Sequence, residues 1–208
     1  MFSTLTRCPK KRLHYTYLEK YLSPYCIYSR KEAKIGVLEN AEGPNGCDSK
    51  TVLSYLNKCV DQGCYWDVIL LNCGLHDIRF INGKHQTDYL IYQKNISEII
   101  QIAKNISDHI IWVRTTPVND ELHNSLRQDI KRYNLDVVKY NEVADSIMSH
   151  NNIYIIDLYT FCECLGGAET YLDHIHFNNE SRNLQGAFIA GNLISYFNIV
   201  KRSNAAIV

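Results

Sequence analysis

Short, almost entirely apolar segments alternate with longer amphipathic segments along this chain, and that alternation constrains its fold most strongly. The segment Asp67–Cys73 reads DVILLNC. Such a nearly continuous apolar run is typical of a strand that is buried on both faces. Three further segments are strand-like in the same way: Ile35–Glu39, His109–Thr116 and Asn152–Tyr159.

Helical patterns lie between these apolar segments and after the last one. The segments expected to be helical are Ser49–Val60, Tyr92–Ile106, about Tyr133–Ile147 and about Glu180–Lys201. Asp48 or Ser49 is a candidate N-cap for the first of them. Strands that alternate with helices indicate βαβ units, so we expect an α/β fold with a parallel sheet covered on both faces.

Length, charge and cysteine usage narrow the class of protein. A chain of 208 residues suffices for one sizeable core, and we expect residues 1–208 to form a single domain. The 22 basic and 22 acidic residues balance, so neither nucleic acid nor a membrane is an expected partner. There is no apolar run of membrane-spanning length and no secretory signal. Eight cysteines without paired CxxC motifs indicate reduced thiols in a cytoplasmic protein.

Glycines and polar residues follow each expected strand. The first is followed by NAEGPNGCDS, the second by GLHDI, the third by PVND, and the fourth, after a loop, by DHIH. In an open parallel sheet, ligands bind outside the carboxyl ends of the strands. We therefore expect a ligand site at this edge of the sheet.

The segment YLDHIHFNNE places an aspartate and two histidines within four positions. Residues three apart can face the same way, so Asp173 can accept a hydrogen bond from one nitrogen of His176 and leave the other nitrogen free as a base. At that spacing His174 points elsewhere. The competing interpretation is that Asp173 caps the helix that begins near Asn179 and that both histidines are loop residues.

Two glycine motifs precede that segment. Gly74 permits a tight exit from the second strand, after which His76 could donate a hydrogen bond to a substrate oxygen and Asp77 could hold the loop. Gly46 lies just before a helix, where its N–H would face the space above the sheet. An Asx turn around Asp77 and an ordinary loop glycine at Gly46 are the alternatives.

A divalent metal site is a third interpretation of these polar residues. His76, Asp77, His174 and His176 could supply its ligands. Metallophosphoesterases place histidine and aspartate at strand ends in this way, but they also need an Asp-x-His early in the chain, which this sequence lacks. We therefore expect no metal.

In chain order, Gly46, then Gly74-Leu-His76-Asp77, then Asp173-x-x-His176 resemble the SGNH (GDSL-type) hydrolase family. The resemblance runs from about Tyr17 to the last helix. The segments NGCDSKTVLSYL, LNCGLHDI and RYNLDVVKYN follow the pattern of one branch. It implies a three-layer α/β/α sandwich with a flavodoxin-like parallel sheet. It also implies ester hydrolysis without a cofactor, with a small acyl group such as acetyl on a carbohydrate or similar alcohol as substrate.

The resemblance also implies roles for individual residues. A serine would attack the ester, His176 would be its general base, and Asp173 would orient His176. The Gly46 N–H and the His76 ring would stabilise the oxyanion, with Gly74 and Asp77 in support. His76 stands where the family has asparagine, and a neutral imidazole can still donate one hydrogen bond. Ser49 matches a structural position of the second motif.

The family's Gly-Asp-Ser motif is the main departure, because Met1-Phe2-Ser3 stands in its place. No residues precede Ser3 to build the family's first strand, so we expect the first central strand to be absent. Either Ser3 is the nucleophile of a chain whose start is clipped, or the chain has no nucleophile. In the second case the expected function is a catalytically inactive SGNH-like domain that binds a glycan or a protein.

Overall fold

The structure, a computed structural model, describes residues 48–205 and the side chains up to residue 200. The expected strand Ile35–Glu39 and the expected absence of a first central strand lie outside these residues. The described helices are α1 (Ser49–Asp61), α2 (Tyr89–Ile106), α3 (Asp120–Leu126), α4 (Asn134–His150), α5 (Leu158–Leu165) and α6 (Asn179–Ala205). The described strands are β1 (Trp66–Leu71), β2 (Phe80–Ile81), β3 (Lys84–His85), β4 (Ser107–Val113) and β5 (Tyr154–Ile156).

The main sheet is parallel, as the alternation of strands and helices predicts. Its described strands lie in the order β1-β4-β5. Leu71 pairs with Trp112 and Val113 pairs with Ile156, so the carboxyl ends of all three strands meet at one edge. The connections run through α2 and α4, because parallel neighbours require a crossover.

Both faces of this sheet are buried. Ile69 and Leu71 of β1 pack into a core with α1, α2 and α4. Their neighbours Val68 and Leu70 point the other way and pack with α5 and α6. This alternation is the period of two that a strand imposes, and it explains why β1 is apolar at nearly every position. The expected three-layer α/β/α architecture is therefore confirmed.

The end of the fourth expected strand is corrected. Of the segment Asn152–Tyr159, only Tyr154–Ile156 is a strand, and helix α5 begins at Leu158. The Asp157 side chain accepts a hydrogen bond from Thr160 N and caps that helix. An apolar run alone does not distinguish a strand from a helix. Asp157, a residue type that favours the N-cap position, was the feature of the sequence that marked the start of the helix.

Helix α1 begins as the sequence indicates. The Asp48 carboxylate accepts a hydrogen bond from Thr51 N at 2.9 Å, which makes Asp48 the N-cap. The antiparallel hairpin of β2 and β3, which the pattern did not reveal, turns at Asn82 and Gly83. Both have positive φ, as a two-residue Asn-Gly turn requires.

The described residues also test two expectations from the sequence, the lack of a membrane-spanning segment and the reduced state of the cysteines. No helix within this part of the chain is long and apolar enough to cross a membrane. Among the cysteines that the structure describes, Cys64, Cys73, Cys162 and Cys164 are free thiols.

The exit from β1 depends on a glycine. Gly74 has φ +149°, and a Cβ at this position would lie 2.6 Å from Thr115 Oγ1. Thr115 cannot easily give way, because its hydroxyl donates to Cys73 O at 3.2 Å. Gly63 also has a positive φ, +65°, but nothing lies within 4 Å of the corresponding Cβ.

We predict that Gly74→Ala lowers the free energy of unfolding by about 2–5 kcal/mol, from backbone strain plus the clash with Thr115. Gly63→Ala is the matched control and should cost only about 1–2 kcal/mol, from strain alone. Urea unfolding followed by circular dichroism measures both values. Equal losses in the two variants would contradict the close approach at Gly74.

Candidate active site

The loop that carries Asp173 and His176 is closed on itself and fastened to the sheet. Tyr171 pairs with Phe177 in an isolated β-bridge. At the base of the loop, Asn178 N donates to Thr170 O at 2.9 Å. The Tyr171 hydroxyl donates to Pro117 O at 3.1 Å, which ties the loop to the segment that follows β4. The loop is therefore held at the carboxyl edge of the sheet.

Within this loop, Asp173 and His176 form the expected pair. Asp173 Oδ2 lies 2.7 Å from His176 Nδ1, and Oδ1 accepts hydrogen bonds from Ile175 N and His176 N, both at 2.8 Å. Partial burial raises the pKa of Asp173, but the hydrogen bonds from His176 and Ile175 outweigh it and lower the pKa to about 2. Asp173 therefore stays ionised, and its carboxylate holds the proton of His176 on Nδ1.

His176 keeps its other nitrogen available. Its side chain is 71% exposed, and with Nδ1 directed at Asp173 the free Nε2 can accept a proton. The competing interpretation of Asp173 as a helix cap is wrong. Asn178 fills that role, since its Oδ1 accepts a hydrogen bond from Ser181 N at 2.8 Å.

Asp77 holds the loop after β1 against the start of α1. It is fully buried, and both carboxylate oxygens accept the Ser49 N–H at 3.0 Å, while the Ser49 hydroxyl donates to Oδ1 at 2.6 Å. Asn95 Nδ2 donates in turn to the Ser49 hydroxyl at 2.9 Å. Burial raises the pKa of Asp77, and the hydrogen bonds from Ser49 oppose only part of that shift.

His76 precedes Asp77 and is buried with it, at 8% exposure. Burial, followed by the positive charges of Arg79 and Arg132, lowers the pKa of His76 to about 4, although Asp48 acts in the opposite direction. The ring is therefore neutral at neutral pH and carries one N–H. A neutral donor of this kind is what an asparagine amide would otherwise supply.

His174 does point away from Asp173, and it has a partner of its own. His174 Nδ1 lies 2.9 Å from Nδ1 of His123, a fully buried residue on α3. His123 Nε2 lies 3.2 Å from Nη1 of Arg132. A guanidinium can only donate, so Nε2 of neutral His123 accepts from Arg132 and the ring proton is on Nδ1, the nitrogen that faces His174.

Arg132 joins the two halves of the candidate site. Besides His123, it donates from Nε to Leu75 O at 2.9 Å, directly beside His76. A chain of three hydrogen bonds therefore runs from Leu75 through Arg132 and His123 to His174. Neither Arg132 nor His123 was among the site residues that the sequence suggested. Arg132 could have been found as the first residue of RYNLDVVKYN, a segment that follows the family pattern but whose arginine had been given no role.

Two of the residues proposed from the sequence, Ser3 and Gly46, lie outside the described residues. Between residues 48 and 200, no three His, Cys, Asp or Glu side chains are grouped so that they could hold a metal ion. In particular, His176 is bonded to Asp173, whereas His174 is bonded to His123. The polar residues at this edge are instead linked by hydrogen bonds.

Comparison with known proteins gives structural relatives. No protein-family model matches the chain. No curated protein matches it either. Among solved structures, a lipase/acylhydrolase from Enterococcus faecalis is 18% identical, with a TM-score of 0.57 and 71% of each chain covered. A lipolytic G-D-S-L family protein from Veillonella parvula is 22% identical, with a TM-score of 0.53, 74% of this chain and 76% of that chain covered.

A third structure has a higher TM-score. It is a catalytic mutant of an acetylxylan esterase from Geobacillus stearothermophilus, 16% identical, with a TM-score of 0.62, 88% of this chain and 79% of that chain covered. At such identities a likeness shows the fold alone. This chain has the SGNH-type hydrolase fold, as the resemblance in its sequence implied.

We predict that acid destabilises the protein through His76 and His123. Burial, Arg132 and His174 lower the pKa of His123 to about 4, as burial does for His76. Between about pH 6.5 and 4 the unfolded chain therefore binds more protons, and the free energy of unfolding falls as the pH falls, by up to about 1.4 kcal/mol per pH unit for each ring. Urea unfolding at pH 7, 6 and 5 measures this slope. It should become shallower in His123→Gln, which removes one of the two buried rings.

We also predict that Ser49→Ala lowers the free energy of unfolding by about 1–3 kcal/mol. The substitution removes the hydroxyl that bonds both Asp77 and Asn95, and leaves buried polar groups with fewer partners. Ser97→Ala is the matched control, because its hydroxyl bonds Gln93 O on the exposed face of α2, and should change stability by less than about 0.5 kcal/mol. A loss at Ser49 no larger than at Ser97 would show that the buried network contributes nothing.

Proposed function

We propose that this chain is an ester hydrolase of the SGNH type that removes a small acyl group, such as acetyl, from a carbohydrate or a similar alcohol. The observation that carries the proposal is the Asp173–His176 hydrogen bond of 2.7 Å, which leaves His176 Nε2 free. It lies in a fold shared with acylhydrolases and an acetylxylan esterase. His76, the neutral buried donor on the loop after β1, supports it further.

In the proposed acylation step, the serine hydroxyl attacks the carbonyl carbon and its proton passes to His176 Nε2. Asp173 remains ionised and stabilises the resulting imidazolium. The tetrahedral intermediate collapses as the bond to the alcohol oxygen breaks, and His176 returns its proton to that oxygen. Ser3 is the proposed nucleophile. Water then hydrolyses the acyl-serine with His176 as the base, which releases the acid and restores the serine.

The proposed oxyanion donors are the neutral His76 ring and the Gly46 N–H. Loss of one such donor typically lowers the rate about 10²–10³-fold. Position 76 therefore needs a side chain that donates a hydrogen bond, and both histidine and asparagine can do so. Asp77 and Gly74 act indirectly, since they fix the path of the loop on which His76 lies. The reaction needs neither a metal nor an organic cofactor.

A second candidate function is a non-catalytic domain that binds a glycan or a protein. The sequence favours it at one point, since His76 stands where the family has its oxyanion asparagine. An esterase assay together with a binding measurement distinguishes the two functions. Under either function we propose a cytoplasmic location, which the free thiols of Cys64, Cys73, Cys162 and Cys164 support.

We predict that the chain hydrolyses 4-nitrophenyl acetate and that His176→Ala lowers kcat/KM by about 10²–10⁴-fold, since the serine then has no base. Ser3→Ala should cause a similar loss. His150→Ala is the control and should retain activity, because His150 lies at the exposed end of α4. Circular dichroism checks that each variant folds.

The pattern of losses separates the alternatives. Activity that survives Ser3→Ala but not His176→Ala would identify another nucleophile. No activity in the unchanged chain, together with measurable binding of an acetylated oligosaccharide, would favour the non-catalytic function.

A further inference from the structure

The loop that carries Asp173 and His176 ends in a tight tip, residues 172–176. Leu172 N donates to His176 O at 2.7 Å, and His176 N donates to Asp173 Oδ1 at 2.8 Å. These bonds close the tip on itself and give its five residues a common geometry. A contact that fixes one side chain of the tip therefore also restrains His176.

The tip projects from the surface of the protein. The side chains of Asp173 and His176 are 44% and 71% exposed, so little packing holds either of them. The base of the loop is fastened by the bond from the Tyr171 hydroxyl to Pro117 O. An attachment at the base alone leaves the tip free to swing, and the place of the tip therefore depends on contacts that its own residues make.

His174 makes such a contact. Its Nδ1 lies 2.9 Å from Nδ1 of His123, and the two rings meet edge to face with their centroids 4.8 Å apart. His174 is half-buried, whereas His123 is fully buried on α3. The contact thus joins the exposed tip to a fixed point inside the protein.

Arg132 extends this link to the other loop of the candidate site. Its Nη1 donates to His123 Nε2 at 3.2 Å, and its Nε donates to Leu75 O at 2.9 Å. Leu75 directly precedes His76, the proposed oxyanion donor. One guanidinium therefore contacts both the ring that holds the tip and the loop that carries His76.

Backbone hydrogen bonds make this support firm. Asn124, the residue after His123, accepts from Arg132 N and donates to Arg132 O, both at 2.9 Å. Lys131 and Phe80 exchange two backbone hydrogen bonds, of 2.8 and 3.0 Å. Helix α3, the segment of Arg132 and the chain that follows β1 are therefore joined along their backbones as well as through side chains.

We propose that His123 and His174 are positioning residues, which hold the loop of the base His176 in place relative to the loop of the oxyanion donor His76. Hydrolysis requires the base and the oxyanion donor at one ester group, and a misplacement of about 1 Å can lower the rate on the order of 10²-fold. The proposal assigns neither His123 nor His174 a proton transfer. Its catalytic part rests on the proposed function, whereas the restraint on the tip does not.

A matched pair of variants at position 174 tests the proposal. His174→Leu has a side chain that cannot accept the hydrogen bond from His123. His174→Asn carries an acceptor, Oδ1, at the same number of bonds from Cα as Nδ1 of histidine. Circular dichroism checks the fold of both variants, and His174→Ala takes the place of His174→Leu if the leucine variant does not fold.

The first measurement is of motion and needs no hydrolysis. NMR relaxation of the full 208-residue chain gives order parameters for the backbone amides of residues 172–176, and relaxation dispersion detects slower exchange. We expect order parameters of about 0.85 in the unchanged chain and in His174→Asn, and a fall toward about 0.6 or new exchange in His174→Leu. A tip that moves equally in all three proteins would overturn the proposal.

The second measurement is of kcat and KM for 4-nitrophenyl acetate. His174→Leu should lower kcat about tenfold or more and change KM less than about threefold, because the base acts in the chemical step. His174→Asn should keep kcat within about threefold of the unchanged chain. An unchanged kcat in His174→Leu, or an equal loss in both variants, would overturn the positioning role.

A double variant tests whether His123 acts through His174. The amide oxygen of His123→Gln can still accept from Arg132, but the variant has no donor at the position of Nδ1. Combined with His174→Leu, it should lower kcat no further than the more damaging single variant does. Losses that multiply would show that the two rings act separately, which contradicts the proposal.

Failure of the proposed function is recognised separately. If the unchanged chain hydrolyses no ester, the proposed function is removed, and the order parameters alone decide whether His123 holds the tip. If the unchanged chain hydrolyses the ester and His174→Leu alters neither motion nor kcat, the positioning role is removed and the proposed function stands.

Discussion

The buried carboxylate of Asp77 is the constraint on which the described site depends. It is stabilised by the N–H at the start of α1 and by the Ser49 hydroxyl, and no salt bridge to it occurs among the residues that the structure describes. A carboxylate in such a place needs every one of these donors, so the loop after β1 and the first turn of α1 can adopt only one relative position. His76, the residue before Asp77, is buried at that junction and is kept neutral there.

The segment from Arg132 into α4 fixes the other loops at this edge. Asn141 accepts a hydrogen bond from Thr115 N and donates to Thr115 O, both at 2.9 Å. Asn134 accepts one from Val118 N at 3.2 Å. Together with the bond from Arg132 to Leu75 O, these contacts set the paths of the chain after β1 and after β4. Side chains of one helical segment thus serve in place of backbone pairing beyond the ends of the strands.

Buried and exposed histidines have separate tasks in this arrangement. His176 is exposed and paired with an ionised aspartate, an environment that suits a group which must gain and lose a proton. His76 and His123 are buried next to arginines, which keeps both neutral and fixes the directions in which they donate. Burial contributes most to that neutrality, and the positive charge of Arg132 adds to it for both rings.

The sequence by itself determined the parallel α/β/α fold and the pair of Asp173 and His176. Burial on both faces leaves its signature in every residue of a strand, and a spacing of three brings two side chains together whatever surrounds them. Only the tertiary structure decided that His123 contacts His174, at a separation of 51 residues along the chain, and that Arg132 reaches Leu75 across 57. Contacts over such distances depend on how layers pack, and no local spacing encodes them. For the same reason no local pattern indicates that Arg132 is buried, because burial is a property of its surroundings and not of its neighbours in the chain.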